Sequence, residues 1–196
     1  MLLNTPLILA SRSPRRSELL SLLGIEYRVV GSDDEPPPLA SEKPNHYVLR
    51  AAKAKVQDVS TRVAQSGASV LGADTVVVLD GVILGKPSDD SNAEAMLESL
   101  QGRWHDVFTG VVLLHQGKWY EDCVQTKVRM VSMSSQTIRN YVASGEGRDK
   151  AGSYAAQGLG AGLIKGIQGS YSNVVGLPAA QSIALLLAAG VLEQWP

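Results

Sequence analysis

Apolar and polar residues follow one another along this chain in blocks whose period switches between that of a strand and that of a helix. Leu7-Ile8-Leu9-Ala10 is a short continuous apolar run, as expected of a buried strand. Glu18-Leu19-Leu20-Ser21-Leu22-Leu23 is amphipathic, and between the two Ser13 suits a helix N-cap and Pro14 the first helical position. Residues 27–31 read as a strand ended by Pro36-Pro37-Pro38, and Val48, Ala51, Ala52, Val56, Val59 and Val63 predict a helix over 45–65. Ser69–Leu79 is a long β-rich run, Asp80-Gly81 a type I′ hairpin signal, and Val82–Leu84 the returning strand. The acids and amides at 89–92 introduce a helix over 93–100. Strands over 107–114 and 119–133 are joined at His115-Gln116-Gly117-Lys118, and Ser134 or Ser135 caps a helix over 136–144. Residues 145–169 are glycine-rich without clear period and predict a loop that shapes a site. Residues 173–194 return to strand-turn-helix character, with Pro178 near the start of the last helix and Gly190 stopping it. The alternation predicts one α/β domain over residues 1–196, built on a mixed sheet.

Composition narrows the classes. A chain of 196 residues buries roughly 70% of its extended surface and needs no disulfide or metal staple to fold. A formal net charge of −1 argues against a general nucleic-acid binder. The single Cys123 excludes an intrachain disulfide and any CxxC metal site. Residues 1–10 lack the pattern of a signal peptide, and no segment approaches a membrane span. A cytoplasmic enzyme or binding protein, with no membrane or nucleic-acid partner, is the expectation.

Chemistry concentrates first in Ser11-Arg12-Ser13-Pro14-Arg15-Arg16, at the strand-to-helix turn. A helix N-terminus offers free N–H groups and partial positive charge, so cations there are mildly unfavourable unless an anion arrives. Three arginines and two hydroxyls around such an end therefore read as a phosphate site, against the plainer reading of a solvated basic turn. Gly72-Ala73-Asp74-Thr75 interrupts an apolar strand, and a carboxylate there is costly to bury unpaired. Asp74 is either satisfied by backbone or a lysine, or it serves as metal ligand or general base. Asp34-Glu35 follows another strand, and with Asp74 it could supply hard oxygen ligands for Mg²⁺ or Mn²⁺. Lys53, Lys55 and Lys86 are available countercharges. Other motifs fail: Gly81 to Lys86 is one residue short of a P-loop, Gly158 to Gly162 is not GxGxxG, and His46, His105 and His115 lack catalytic spacing.

The ordered set resembles the Maf family of nucleoside triphosphate pyrophosphatases. The matching residues are Ala10 to Arg16, Asp34-Glu35, Arg50 with Lys55, Gly72 to Thr75, Lys86-Pro87, Thr109-Gly110, Asp149 to Tyr154, Gln157-Gly158 and Gly169 to Pro178. The similarity spans essentially the whole chain. It implies an elongated α/β fold of the Ham1 and inosine triphosphate pyrophosphatase type: a mixed twisted sheet, flanking helices and a cleft between two lobes, commonly as a homodimer. It also implies hydrolysis of a nucleoside triphosphate to monophosphate and pyrophosphate with a divalent metal, a house-cleaning role in the nucleotide pool. By the same resemblance Asp74 is the proton acceptor and Glu35, Lys55 and Lys86 are essential; Asp74, Glu35 or both are expected to hold the metal. Ser11, Ser13, Arg15 and Arg16 bind phosphates.

Arg15, Thr75 and Gln157 fall where the family's subgroups differ, and Tyr154-Ala155-Ala156-Gln157-Gly158 is similar to the dTTP- and UTP-preferring subgroup. A glutamine amide both donates and accepts, so it can pair with the N3–H and a carbonyl of uracil or thymine. Ala156 departs from the isoleucine more usual before this glutamine, a change expected to loosen the base pocket. Modified pyrimidine triphosphates are a further candidate substrate class. The competing class, a non-catalytic nucleotide-binding regulator of cell division, would not need the full acid and lysine set that is present here.

Overall fold

The computed structural model describes residues 3–63 and 67–195. Its elements run β1 (Leu7–Leu9), α1 (Pro14–Leu22), β2 (Arg28–Val29), α2 (Pro44–Val63), β3 (Ser69–Leu79), β4 (Val82–Leu84) and α3 (Asp90–Leu100). They continue with β5 (Trp104–His115), β6 (Lys118–Met130), α4 (Ser135–Ala143), β7 (Ile164–Gln168), α5 (Tyr171–Val175) and α6 (Ala179–Ala188). Among the described residues seven strands make one mixed sheet in the order β2-β1-β3-β5-β6-β7, with β4 beside β3. β1 is parallel to both its neighbours, with Leu9 opposite Leu71 on β3, whereas β4 and β7 pair antiparallel. The fold is thus the mixed α/β sheet with flanking helices that the alternation predicts.

The chain divides into two compact units, Met1–Asp74 with Thr109–Val124 and Gly176–Pro196, and Thr75–Phe108 with Gln125–Val175. In the first, the pleat sends Leu7, Leu9, Leu71, Ala73, Val111 and Leu113 to one face, where Leu20 of α1 and Ile183 and Leu186 of α6 cover them. Ile8, Ala10, Val70 and Val112 point the other way, under Ala52, Val56 and Val59 of α2. Both faces are covered, and this is why these strands read as unbroken apolar runs rather than alternating ones. In the second unit Val77, Leu79, Val107, Val128 and Met130 pack with Leu97 and Leu100 of α3 and Ile138, Tyr141 and Val142 of α4.

Local chemistry sets the ends of several elements. Asp80 and Gly81 take φ of 50° and 81°, as a type I′ turn requires, and β3 and β4 close around them. The Asp89 side chain caps α3 by accepting from the Asn92 N–H at 2.8 Å, and the Ser134 hydroxyl caps α4 through the Thr137 N–H at 3.1 Å. Among the described residues no helix is long and apolar enough to cross a membrane.

The structure differs from the sequence reading most at five places. The strand over 27–31 contracts to Arg28–Val29, both exposed. α2 begins at Pro44 and its described part ends at Val63, so Gln65 lies outside the described residues. β6 ends at Met130 rather than at 133. The loop over 145–169 contains two short 3₁₀ turns, Ala151–Ser153 and Gly158–Leu163, and the edge strand β7. Finally, the strand expected after residue 173 is the helix α5, where the Ser170 hydroxyl accepts the Asn173 N–H at 3.3 Å and caps a segment whose valines had suggested β structure.

Candidate active site

The site of the first unit is built by pressing α2 onto the sheet. A Cβ on Gly110 would come within 2.6 Å of the Val48 carbonyl, and one on Gly72 within 2.6 Å of a Val56 methyl and 3.3 Å of the Ala52 carbonyl. Glycine at both positions lets the helix backbone approach β3 and β5 more closely than any side chain would allow. Asp74 lies two residues beyond Gly72 on the same face of β3, and Lys55 lies on the α2 face that meets it. The Lys55 Nζ reaches Asp74 Oδ1 at 2.6 Å and Glu35 Oε1 at 3.5 Å. The lysine side chain is 8% exposed and Asp74 14%, whereas Glu35 is 58% exposed, so one carboxylate is sunk in the fold and the other faces solvent. Asp74 is thus partnered by a lysine, one of the two partners that the plain reading of the sequence allowed it. The residue types of an active acid are present in the same contact.

Glu35 belongs to the loop after β2, and that loop is tied to α2 through side chains. Asp58 accepts from the Ser32 hydroxyl at 2.7 Å, the Asp33 N–H at 3.2 Å and Arg62 at 2.8 Å. The Ser32 hydroxyl bond, with the Asp33 N–H and Arg62, holds the Asp58 carboxyl below the usual range. Arg12 pairs with Asp33, and Arg62 also donates to the Gly31 carbonyl at 2.8 Å. Further along, Arg50 grips Glu42 at 2.8 and 2.7 Å, holding its carboxyl down at about 2, and donates to the Pro37 carbonyl at 2.8 Å. Tyr47 donates to the Pro36 carbonyl at 3.2 Å. Its hydroxyl is pushed up to about 12 by burial first and then by the charge of Asp74.

The basic turn closes the same unit. Ser13 stands at the N-cap of α1 with extended backbone, yet its hydroxyl makes no capping bond; its N–H instead donates to the Ser11 hydroxyl at 3.1 Å. Arg16 is buried, with Nε donating to the Gly176 carbonyl at 2.7 Å and Nη1 to the Ser11 hydroxyl at 3.3 Å. Burial makes this guanidinium a weaker proton holder than a free arginine; Asp74 and Glu35 oppose that effect, and the neighbouring charge of Arg15 adds to it. Arg16 therefore shares an electrostatic environment with both carboxylates. Ser11, Ser13, Arg15, Arg16, Glu35, Lys55 and Asp74 all belong to this unit.

Thr75, Lys86 and Gln157 belong to the second unit. Thr75 continues β3 beyond Asp74 and is half-buried, and Lys86 is exposed on the segment after β4. The neighbouring Gly85 carbonyl accepts the Gly152 N–H at 3.0 Å, which ties the 149–154 stretch to that segment. Gln157 is half-buried and immediately precedes the 3₁₀ turn at Gly158–Leu163. The two buried histidines are structural: His105 Nε2 lies 2.7 Å from the Tyr154 hydroxyl, and His115 Nδ1 lies 2.8 Å from the Ser69 hydroxyl.

Three positioning groups escaped the sequence reading. The Gly176 carbonyl that holds Arg16 carries no signature, since any residue has one. Tyr47 beside the carboxylates looked like an ordinary helix residue. Asp58 sits on a helix where aspartate is usually solvated. Lys55 was read from the sequence only as an available countercharge; its place three and four positions after Ala52 and Ala51 in the apolar stripe is the signal from which its buried partner could have been found.

Asp74 and Glu35 are the residues that could hold a metal. They are hard oxygen donors drawn to a single ammonium, a donor set that suits Mg²⁺ or Mn²⁺ completed by phosphate oxygens and water. No group of three or more His, Cys, Asp or Glu side chains gathers for a metal among the described residues.

A family model described as Maf-like protein matches residues 6–189. A dTTP/UTP pyrophosphatase of Methylobacillus flagellatus is 44% identical over 187 residues, covering 95% of this chain and 94% of that protein. A dTTP/UTP pyrophosphatase of Myxococcus xanthus is 47% identical over 192 residues, covering 97% and 96%. Among solved structures, the Staphylococcus aureus Ham1 protein is similar at 14% identity and a TM-score of 0.48, covering 81% of this chain and 79% of that one.

Proposed function

Because this chain belongs to the Maf family, we propose that it is a nucleoside triphosphate pyrophosphatase that converts dTTP and UTP to the monophosphates and pyrophosphate. The observation that carries the reading is the contact of Lys55 with both Asp74 and Glu35, in the unit that also holds Arg16 against Ser11. Relatives named dTTP/UTP pyrophosphatase match over nearly the full chain and support the choice of substrate. Such an enzyme needs a base, a countercharge for it and fixed cations for a leaving polyphosphate, and these residues supply each.

In this reading a water oxygen attacks the α-phosphorus, the bond from that phosphorus to the bridging oxygen breaks, and the water proton passes to the Asp74 carboxylate. Lys55 offsets the charge of two neighbouring carboxylates and fixes the Asp74 rotamer by engaging Oδ1. Arg15, Arg16 and Lys86 take up the charge of the departing pyrophosphate, with the hydroxyls of Ser11 and Ser13 as further phosphate donors. Arg16 is preorganised for this, since the Gly176 carbonyl and Ser11 fix its guanidinium before substrate binds. Gln157 reads the pyrimidine edge, and Thr75 and Arg15 complete substrate selection, as the family resemblance implies. Asp74 and Glu35 would hold a divalent cation, Mg²⁺ or Mn²⁺, which when bound supplies Lewis-acid polarisation of the phosphate oxygens. The same resemblance supports a homodimer as the working form.

The deciding experiment is incubation of the purified protein with a panel of nucleotides and Mg²⁺ or Mn²⁺. Release of pyrophosphate from dTTP and UTP is expected. Release of orthophosphate, or binding without turnover, would overturn the assignment, the second outcome in favour of a nucleotide-binding regulator.

A further inference from the structure

The residues flanking Gln157 are held from outside by side chains that sequence reasoning passed over. Glu146, on the turn after α4, accepts the Leu159 N–H at Oε1 (2.9 Å) and the Gly160 N–H at Oε2 (2.7 Å). Oε2 also accepts the Tyr141 hydroxyl at 2.9 Å, and that hydroxyl accepts the Ala155 N–H at 3.0 Å. One carboxylate and one phenol thus hold the backbone two residues before Gln157 and two and three residues after it. The Tyr154 hydroxyl lies 2.7 Å from His105 Nε2, and the Tyr171 hydroxyl donates to the Ala156 carbonyl at 3.4 Å.

The fit around the carboxylate is close. Gly158 has φ of 62°, and a Cβ there would lie 2.1 Å from Glu146 Oε1. A Cβ on Gly160 would lie 2.3 Å from the Ala155 carbonyl and 2.8 Å from the Tyr141 hydroxyl. Both glycines are therefore required for Glu146 and Tyr141 to sit where they do. Burial pushes the Glu146 carboxyl up, but Tyr141, the two N–H donors and Lys150 outweigh it, and the net direction is down. The group stays an acceptor for all three donors.

This frame answers a problem in base selection. A glutamine amide matches the donor–acceptor edge of uracil in one orientation and that of cytosine when flipped, so residue type alone does not discriminate the two. What discriminates is the position and direction from which the amide is presented. We propose that Glu146, acting with Tyr141, is a positioning residue for nucleobase selection, holding the Ala155 to Gly160 backbone so that Gln157 meets uracil and thymine in preference to cytosine. The inference rests on the pyrimidine nucleotide reading above and adds to it a residue that never touches the base.

E146Q is the direct variant: its amide can accept from one N–H but opposes the other with its own NH₂. Y141F keeps the ring and removes only the bridging hydroxyl. Dissociation constants for UTP and CTP are measured by calorimetry in the D74N background, so that binding is read without turnover, and pyrophosphate release by the otherwise unchanged chain is assayed in parallel. The expected result is a fall of about tenfold in the preference for UTP over CTP in E146Q, and a smaller fall in the same direction in Y141F. Melting curves identify the folded variants, and if E146Q does not fold, Y141F alone decides. An unchanged ratio, with both nucleotides weakened equally, means a structural role only and overturns the proposal. Failure of the unsubstituted chain to release pyrophosphate would overturn the hydrolase reading instead, while the ratio of dissociation constants would still decide the role of Glu146.

Discussion

Lys55 Nζ lies 2.6 Å from Asp74 Oδ1, a contact between α2 and β3 made where both side chains are nearly buried. An ammonium and a carboxylate that shed most of their water must satisfy one another, and each becomes costly when the other is removed. The same ammonium attracts Glu35 from the solvent side at 3.5 Å. One lysine thereby keeps two acids together.

Asp74→Asn tests this contact most cleanly. The amide oxygen can still accept from Lys55, and the Glu35 carboxylate at 3.5 Å still opposes the lysine's charge, so the melting temperature should stay within a few degrees of the unsubstituted protein. Pyrophosphate release should fall by about a thousandfold or more, since the group that takes the water proton is gone. Retained turnover would remove Asp74 from the chemistry.

Gly72→Ala tests the packing that makes the contact. The added methyl meets a Val56 methyl at 2.6 Å and the Ala52 carbonyl at 3.3 Å, so α2 must move or Val56 must change rotamer. Denaturation in urea should show a loss of about 1–3 kcal/mol, together with a lower kcat as Lys55 is drawn from Asp74. Gly110→Ala should cost more, because the obstacle there is the Val48 backbone itself at 2.6 Å, which has no rotamer to change. Equal and negligible effects from both would refute the close-packing account.

Elements whose bonds are local were legible from the sequence, and those held by distant side chains were not. β3 and its hairpin were readable because a β-rich run and an Asp-Gly turn carry their own instructions in adjacent residues. The mixed α/β sheet followed from the alternation of such runs. The 145–169 stretch was opaque because its order comes from Glu146 and Tyr141 bonding backbone groups as many as fourteen residues away. β7, with Gly166 at its centre, shows no strand period and is a strand only because β6 offers it an edge. At the site, charge and spacing pointed to the acids and arginines, while the burial of Lys55 and the backbone hold on Arg16 emerged only with the fold.

Arg16→Lys tests that hold. Lysine keeps the charge but has a single nitrogen, which cannot reproduce the bonds to the Gly176 carbonyl at 2.7 Å and the Ser11 hydroxyl at 3.3 Å in the same geometry. Stability should fall by about 1–2 kcal/mol through the loss of the bonds to that buried carbonyl and hydroxyl. The KM for UTP should rise by about tenfold as the phosphate-facing cation loses its fixed direction. A variant with wild-type stability and KM would show that Arg16 is neither an anchor nor a phosphate ligand.

Stability should also depend on pH through His105, which lies 3% exposed against Tyr154. Burial lowers its imidazole from 6.5 to about 4, with Asp106 opposing weakly. The unfolded chain therefore takes up a proton near pH 6.5 that the folded chain refuses until about pH 4. Its contribution is complete above the unfolded value and is lost as pH falls through that window, by up to about 3 kcal/mol. Melting temperature measured across the window should fall in the natural sequence. His105→Gln, which can still bond the Tyr154 hydroxyl but takes no proton, should melt lower at neutral pH because its packing is poorer, yet show a flatter dependence below pH 6.5. Parallel slopes for the two proteins would place the acid sensitivity elsewhere.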